Sequence, residues 1–465
     1  MTSRAAFLYD SFLRRFPYEP TPCQDEFLAA AARFLTADDG DILVVNGYAG
    51  TGKTTAVAAV VGALKELEIN SILLAPTGRS AKVLSLYAGQ PASTIHKHIY
   101  RQKSLGADGF GQFSLSFNKA RNTLFIVDEV SLVNIGSEGH FGSGNLLEDL
   151  VAFVRSGTDC RLILLGDDAQ LPPVGLDASP ALSKAFMDGF GGVQYVNMTT
   201  VVRQAADSGI LQNATHLRRL LPYHGEALGL VPTPDMERIS GGELLETLSD
   251  AYSRYGEDEV MVLCRSNKRA GQYNAGIRGT VLFHEERLVR GERLMIVKNH
   301  YLDGLEGTDY IANGDMANLV WIRHFEERYG LHFADACLCF PDYNHQEVEM
   351  KVLLDTLESD SPSLPYEQSQ TLFQGVLADY SHLPTRKKRY DAVREDPFFN
   401  ALQIKYAHAI TCHKAQGGQR NCVFIDNPFW QDSLQDEDLK WLYTALTRSV
   451  EKVYLVNFRE EHFIK

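Results

Sequence analysis

Residues 44–57, VVNGYAGTGKTTAV, constrain this chain more than any other stretch. An apolar run ends at Gly47, the spacing G-x-x-x-x-G-K-T runs from Gly47 to Thr54, and a helix-competent run comes next. Strand, glycine-rich loop and helix in that order make a cradle of backbone N–H groups at a helix N-terminus, a site suited to phosphate. The cradle residues are Gly47, Gly50, Thr51, Gly52, Lys53, Thr54 and Thr55, and Lys53 can reach the terminal phosphates. The implied ligand is a nucleoside triphosphate, ATP.

The same stretch dictates an α/β fold. Short apolar runs recur as DILVVNG, SILLAP, TLFIVDE, RLILLGD and VQYVNM between residues 41 and 198, separated in several places by helix-like sequence. That alternation predicts a mainly parallel sheet with function at the strand C-termini. A second set, EVMVLCRSN, CVFIDN and KVYLVNF, predicts a second α/β domain, as suits 465 residues, too many for one core. From about 285 to 400 the texture changes to short β-like pieces and then a helical return, which reads as an insertion.

The bulk numbers exclude some classes. No apolar run approaches the roughly 18 residues of a membrane helix, and the N-terminus is too charge-broken for a secretory signal. Seven scattered cysteines read as free thiols in a reducing compartment, so the expected location is cytoplasmic. Cys337 and Cys339 alternate on a strand and lack the second pair that zinc wants. The net charge of −14 weighs against a protein that grips nucleic acid over its whole surface, but it allows a local basic groove.

Two further strand ends carry chemistry. LFIVDEVS puts Asp128 and Glu129 after a strand, where Asp128 can hold Mg²⁺ with Thr54 and Glu129 can activate water. LLGDDAQLPPVG puts Gln170 after another; its amide can touch a γ-phosphate, and Pro172 and Pro173 stiffen the segment beyond it. This ordered series resembles the superfamily 1 helicases, and GDDAQLPPVG with HKAQG is similar to the RecD- and Dda-like superfamily 1B group, close to the PIF family. The resemblance spans residues 20 to 458. It implies that Gln24 reads adenine, that Arg203 and Arg448 reach the phosphates across a cleft, and that Gly417 lies at the nucleotide. It also implies single-strand contacts from Thr77, Arg79, Lys82, His96, Asn313, Thr411, His413 and Lys414.

By resemblance, the fold is two RecA-like P-loop domains with a small hairpin inserted in the first and an SH3-like β-barrel in the second. The implied division is an N-terminal segment 1–20, motor domain 1 over 21–195 with its hairpin at about 101–121, motor domain 2 over 196–284 and 401–465, and the insert over 285–400. The implied activity is 5′→3′ translocation on single-stranded DNA and unwinding of forked DNA by a monomer. Phe110 and Phe113 sit near the hairpin tip, where an aromatic ring can stack on a fork; the alternative is that both rings pack the hairpin onto its domain. Other functions weighed are a different P-loop machine, disfavoured by the lack of its signatures, a translocase that does not part strands, and a binding module with a relic site. TRKKRY (385–390) reads equally as a strand path or a solvated helix face. Trp321, Trp430 and Trp441 read as core, and His98 and His408 as structural.

Overall fold

The computed structural model describes residues 2–464 apart from 38, 106–110, 137–141, 203–207, 224–226, 301–310 and 430–433. The first sheet is built from β1 (Ile42–Gly47), β2 (Asn70–Ala75) and β3 (Ala92–Thr94); the chain then makes an antiparallel pair, β4 (Tyr100–Leu105) with β5 (Gly111–Leu115), and returns as β6 (Thr123–Val127), β7 (Arg161–Gly166) and β8 (Val193–Met198). The sheet order is β3-β2-β6-β7-β1-β8, and every neighbouring pair is parallel. Both faces are covered, which is why the central strands are continuous apolar runs rather than alternating ones. Phe12, Phe27, Phe34 and Leu64, from the helices Ser3–Arg15, Pro22–Thr36 and Lys53–Glu66, pack on one face. Leu147, Leu150 and Phe153, from the helix Leu146–Arg155, pack on the other.

The second sheet begins with β9 (Met236–Ile239) and β10 (Val260–Cys264). The chain then leaves it for a closed barrel of β11 (Arg293–Ile296), β12 (Met316–Arg328), β13 (Leu331–Phe340), β14 (Gln346–Leu353) and β15 (Leu402–Tyr406). It returns through Ala407 and His408 to β16 (Ala409–Thr411), β17 (Arg420–Asp426) and β18 (Ser449–Val456). The second sheet runs β16-β10-β17-β18-β9, again parallel throughout. Barrel pairings are antiparallel except β14 with β15. The helices Tyr366–Asp379 and Arg386–Glu395 close one end of the barrel on Phe333, Phe373 and Phe398, and Arg386, Lys387 and Lys388 are left on a solvated helix face.

A buried ion cluster ties barrel to sheet. Glu292 is fully buried; Arg278 donates to both its carboxylate oxygens at 2.8 and 2.9 Å, and His408 Nε2 lies 3.5 Å away. Arg278 lies in the last helical stretch before the insertion, Ile277–Val281, Glu292 immediately precedes β11 and His408 follows β15. The domains also meet directly: Ala169 and Leu171 of the first share a core with Trp441, Leu442 and Tyr443 of the second. His98 packs edge-on against Phe125 and Phe153. Trp321 lies under Arg323, and Trp430 is outside the described residues. The seven cysteines are free, and no group of metal-ligating side chains assembles among the described residues.

Candidate functional site

The phosphate loop leaves β1 at Gly47 and enters the helix Lys53–Glu66 through Gly52. Gly50 and Gly52 have φ of 74° and 78°, which β-carbon sterics penalise, and a Cβ on Gly52 would stand 2.4 Å from Gln24 Nε2. Gln24 holds the loop from behind: its amide donates to Thr51 O at 2.9 Å, while its oxygen accepts the Thr21 N–H at 2.9 Å. Both ends of the Gln24 amide are therefore engaged with backbone. Lys53 Nζ donates to Gly47 O and, at 3.2 Å, to Tyr48 O. Thr54 and Thr55 start the helix, half-buried, with that positive end toward the loop.

Asp128 follows β6 and accepts the Glu129 N–H at 2.8 Å. Burial pushes its carboxyl up, the Glu129 charge adds to this and Lys53 opposes it, leaving Asp128 at about 6. Glu129 is held at φ 55°, a left-handed conformation costly for a side chain of its kind. The oxygen donors of Thr54 and Asp128 are the hard ligands that magnesium takes. After β7, Gln170 is buried and its Oε1 meets no hydrogen-bond donor among the described residues.

Arg448 is buried on its own domain's side: it donates to Thr444 O at 3.1 Å, Gly418 O at 3.3 Å and Thr447 Oγ1 at 3.1 Å. Gly417, at φ 77°, meets Ser80 of the first domain; a Cβ there would stand 2.1 Å from Ser80 Oγ. Arg203 lies outside the described residues, as does Phe110.

A groove of about 640 Å³ runs between the two domains and the barrel. Thr77, Arg79, His96, Phe113, Asn313, His413 and Lys414 all line it, from three separate parts of the chain. Among the described residues none that lines it is acidic, in a chain with 59 Asp and Glu against 45 Lys and Arg. Burial lowers His96 to about 4, so it is neutral, and lowers Lys414, beside Lys405, to about 8. Lys414 Nζ donates to Asn313 Oδ1 at 2.6 Å, which joins the second domain to the barrel turn. The Thr77 hydroxyl caps the helix Gly78–Ala88 by accepting Ser80 N–H at 3.1 Å.

Three residues expected at the strand stand apart from it or face elsewhere. Lys82 does not line the groove; its ammonium lies 4.0 Å from Asp342 and 4.9 Å from the Tyr343 ring centre, so it docks the barrel. Arg79 is pressed against Gly418, and burial among Arg420 and other arginines holds it down at about 9. Thr411 precedes the short helix Cys412–Ala415 and does not line the groove. Phe113 lies half-buried against the first domain's core, at the groove edge.

Fold and site together define a P-loop NTPase with two parallel-sheet domains, a barrel and a groove shared among them. The family model described as an AAA domain matches residues 28–228, and that of a UvrD-like helicase C-terminal domain matches 406–456. The ATP-dependent RecD2 DNA helicase of Deinococcus radiodurans is 36% identical over 187 residues, which cover 40% of this chain and 22% of that protein. The ATP-dependent DNA helicase dda of Enterobacteria phage T4 is 24% identical over 449 residues, covering 89% of this chain and 94% of that protein. A Pif1 helicase from Bacteroides, solved in complex with ADP-AlF3 and ssDNA, shares the fold with a TM-score of 0.51 and 16% identity, covering 96% of this chain and 95% of that one. Within that class the chain is similar in sequence to the RecD2 and dda DNA helicases and shares its fold with the Pif1 helicase.

Proposed function

We propose that this chain is an ATP-driven DNA helicase, one that tracks 5′→3′ along a single strand and parts duplex at forks. The observation that carries the reading is the groove lined from both domains and the barrel, whose described lining includes Arg79, Lys97 and Lys414 and no acidic residue, in a chain whose net charge is −14. Phosphate favours such a groove and the rest of the surface repels it. The similarity to the RecD2 and dda DNA helicases supports DNA as the strand.

In this reading Mg²⁺, held by Thr54 and Asp128, would neutralise phosphate charge when bound. Lys53 holds the terminal phosphates, Glu129 orients water and takes its proton, and Arg448 with Arg203 turns toward the departing phosphoryl group. Closure on ATP and release after hydrolysis alternate the grip of Thr77 and His96 with that of His413 and Lys414. We place the work in replication, recombination or repair in the cytoplasm. The test is ATP turnover with and without single-stranded DNA beside unwinding of a forked duplex, for wild type and Lys53→Ala. Stimulated turnover and unwinding, both lost in the variant, support the reading.

A second reading is a translocase that remodels protein–DNA complexes without parting strands. It is favoured by Phe113, which packs on its own domain rather than standing clear as a wedge. Stimulated turnover without unwinding would select it.

A further inference from the structure

Tyr443 belongs to the second domain's helix Asp436–Leu446, yet its hydroxyl is shared by two loops of the first. It accepts the N–H of Ala49, in the phosphate loop, at 2.9 Å and donates to Asp167 Oδ2, in the loop of Gln170, at 2.6 Å. A carboxylate only accepts, so the direction is fixed: Ala49 N–H to Tyr443 O–H to Asp167. Asp167 is fully buried, and its other oxygen accepts Ala169 N–H at 3.0 Å. Its backbone N–H and C=O are both held by the hydroxyl of Ser131, two residues past Glu129, at 2.9 and 3.0 Å. The next residue of the helix repeats the contact: Thr444 Oγ1 accepts Leu171 N–H at 2.8 Å, and Gln416 Nε2 donates to Leu171 O at 3.1 Å. Thr444 O in turn accepts from Arg448 Nε.

We propose that Tyr443 is a positioning residue that couples the nucleotide loop to the second domain through its hydroxyl. The proposal rests on the ATPase reading above. If phosphate moves Ala49, either the Tyr443 helix moves with it, drawing the hydroxyl away from the buried Asp167 carboxylate, or the half-buried Ala49 N–H loses its partner, and each is unfavourable. Because the same helix leads into Arg448, that movement changes what Arg448 faces.

The experiment compares wild type, Tyr443→Phe, Asp167→Asn and the double variant as full chains. Steady-state turnover is read with and without oligo-dT, and amide exchange of residues 436–446 with and without Mg²⁺ and a non-hydrolysable ATP analogue. Tyr443→Phe is expected to lower strand-stimulated kcat about tenfold with KM for ATP within about twofold, and the double variant to be no worse than the more impaired single one. The analogue is expected to alter exchange of the helix in wild type and not in Tyr443→Phe, while residues 47–55 stay protected in both. A merely space-filling tyrosine would lower the melting temperature and leave kcat and the helix response intact below the melt, which overturns the proposal. So does a wild-type helix that ignores the analogue, or multiplicative losses in the double variant. If wild type shows no strand-stimulated turnover, the functional reading falls, and the exchange comparison still decides the coupling. If Tyr443→Phe does not fold, Asp167→Asn carries the same exchange test.

Discussion

Lys82 and Lys414 both stand in segments that resemble strand-contacting motifs, and their surroundings separate them. Lys82 is committed to Asp342 and Tyr343, whereas Lys414 faces the groove from beneath the barrel turn. Lys414→Ala is expected to reduce the slope of log affinity against log salt for single-stranded DNA by about 0.7, one phosphate contact, and Lys82→Ala to leave it unchanged. Burial also lowers Lys414 to about 8. Its protonated form is the one that attracts phosphate, so strand affinity should fall as pH rises through 8, and the fall should be weaker in Lys414→Ala; fluorescence anisotropy from about pH 6.5 to 9 measures both. Arg448 presents a different case, since its donors rest on its own domain. An arginine that acts on transition-state charge predicts that Arg448→Ala lowers kcat by about 10³ with KM for ATP little changed. A raised KM at normal kcat would instead make it a ground-state contact.

Glu292, Arg278 and His408 act as an element-scale staple where the barrel joins the second sheet. Burial alone would push the Glu292 carboxyl up, but the His408 and Arg278 contacts outweigh it and hold it down at about 2, against an ordinary 4.5. A carboxyl lowered on folding stabilises above its unfolded pKa, and that contribution is lost as pH falls from about 4.5 toward 2. Glu292→Gln should therefore cost about 3 kcal/mol near neutrality by leaving Arg278 buried and unpaired, with the gap to wild type closing in acid; denaturant melts at about pH 7 and pH 3 check this. Such a cluster was not legible in sequence, because its members sit 14 and 116 residues from one another along the chain. The parallel strands were legible because burial on both faces makes them unbroken apolar runs. MERI of β9 and QEVEMKVL of β14 were not, since they mix polar residues into short or one-sided strands. The β4–β5 pair was announced by alternation and three glycines, yet whether it wedges a fork depends on where its rings pack. Replacing residues 105–112 by a tight turn should cut unwinding severalfold and spare strand-stimulated turnover if it is a pin; equal loss of both would make it part of the strand track.

At the scale of the molecule, the phosphate loop, the Asp128–Glu129 strand end and the Gln170 loop could be read as neighbours because each ends a strand of one sheet. The groove could be anticipated only as motifs in order; its lining depends on how three distant parts of the chain converge. The Tyr443 contact was hidden for the same reason, being 394 residues from Ala49. Motif order does not reveal the contacts that Gln24, Arg79 and Gly417 make: the first braces the phosphate loop, Arg79 is pressed on Gly418, and Gly417 meets Ser80 across the domain seam. All of these features serve one claim, that nucleotide turnover between the two domains drives a strand through the groove. It is tested most directly by strand separation of duplexes carrying a single 5′ or 3′ tail, in Mg²⁺ and ATP, with Lys53→Ala as the control. The account predicts ATP-dependent separation of the 5′-tailed duplex, little of the 3′-tailed one, and none by the variant. Absence of both separation and tail-stimulated ATP turnover in the folded wild-type protein would contradict it.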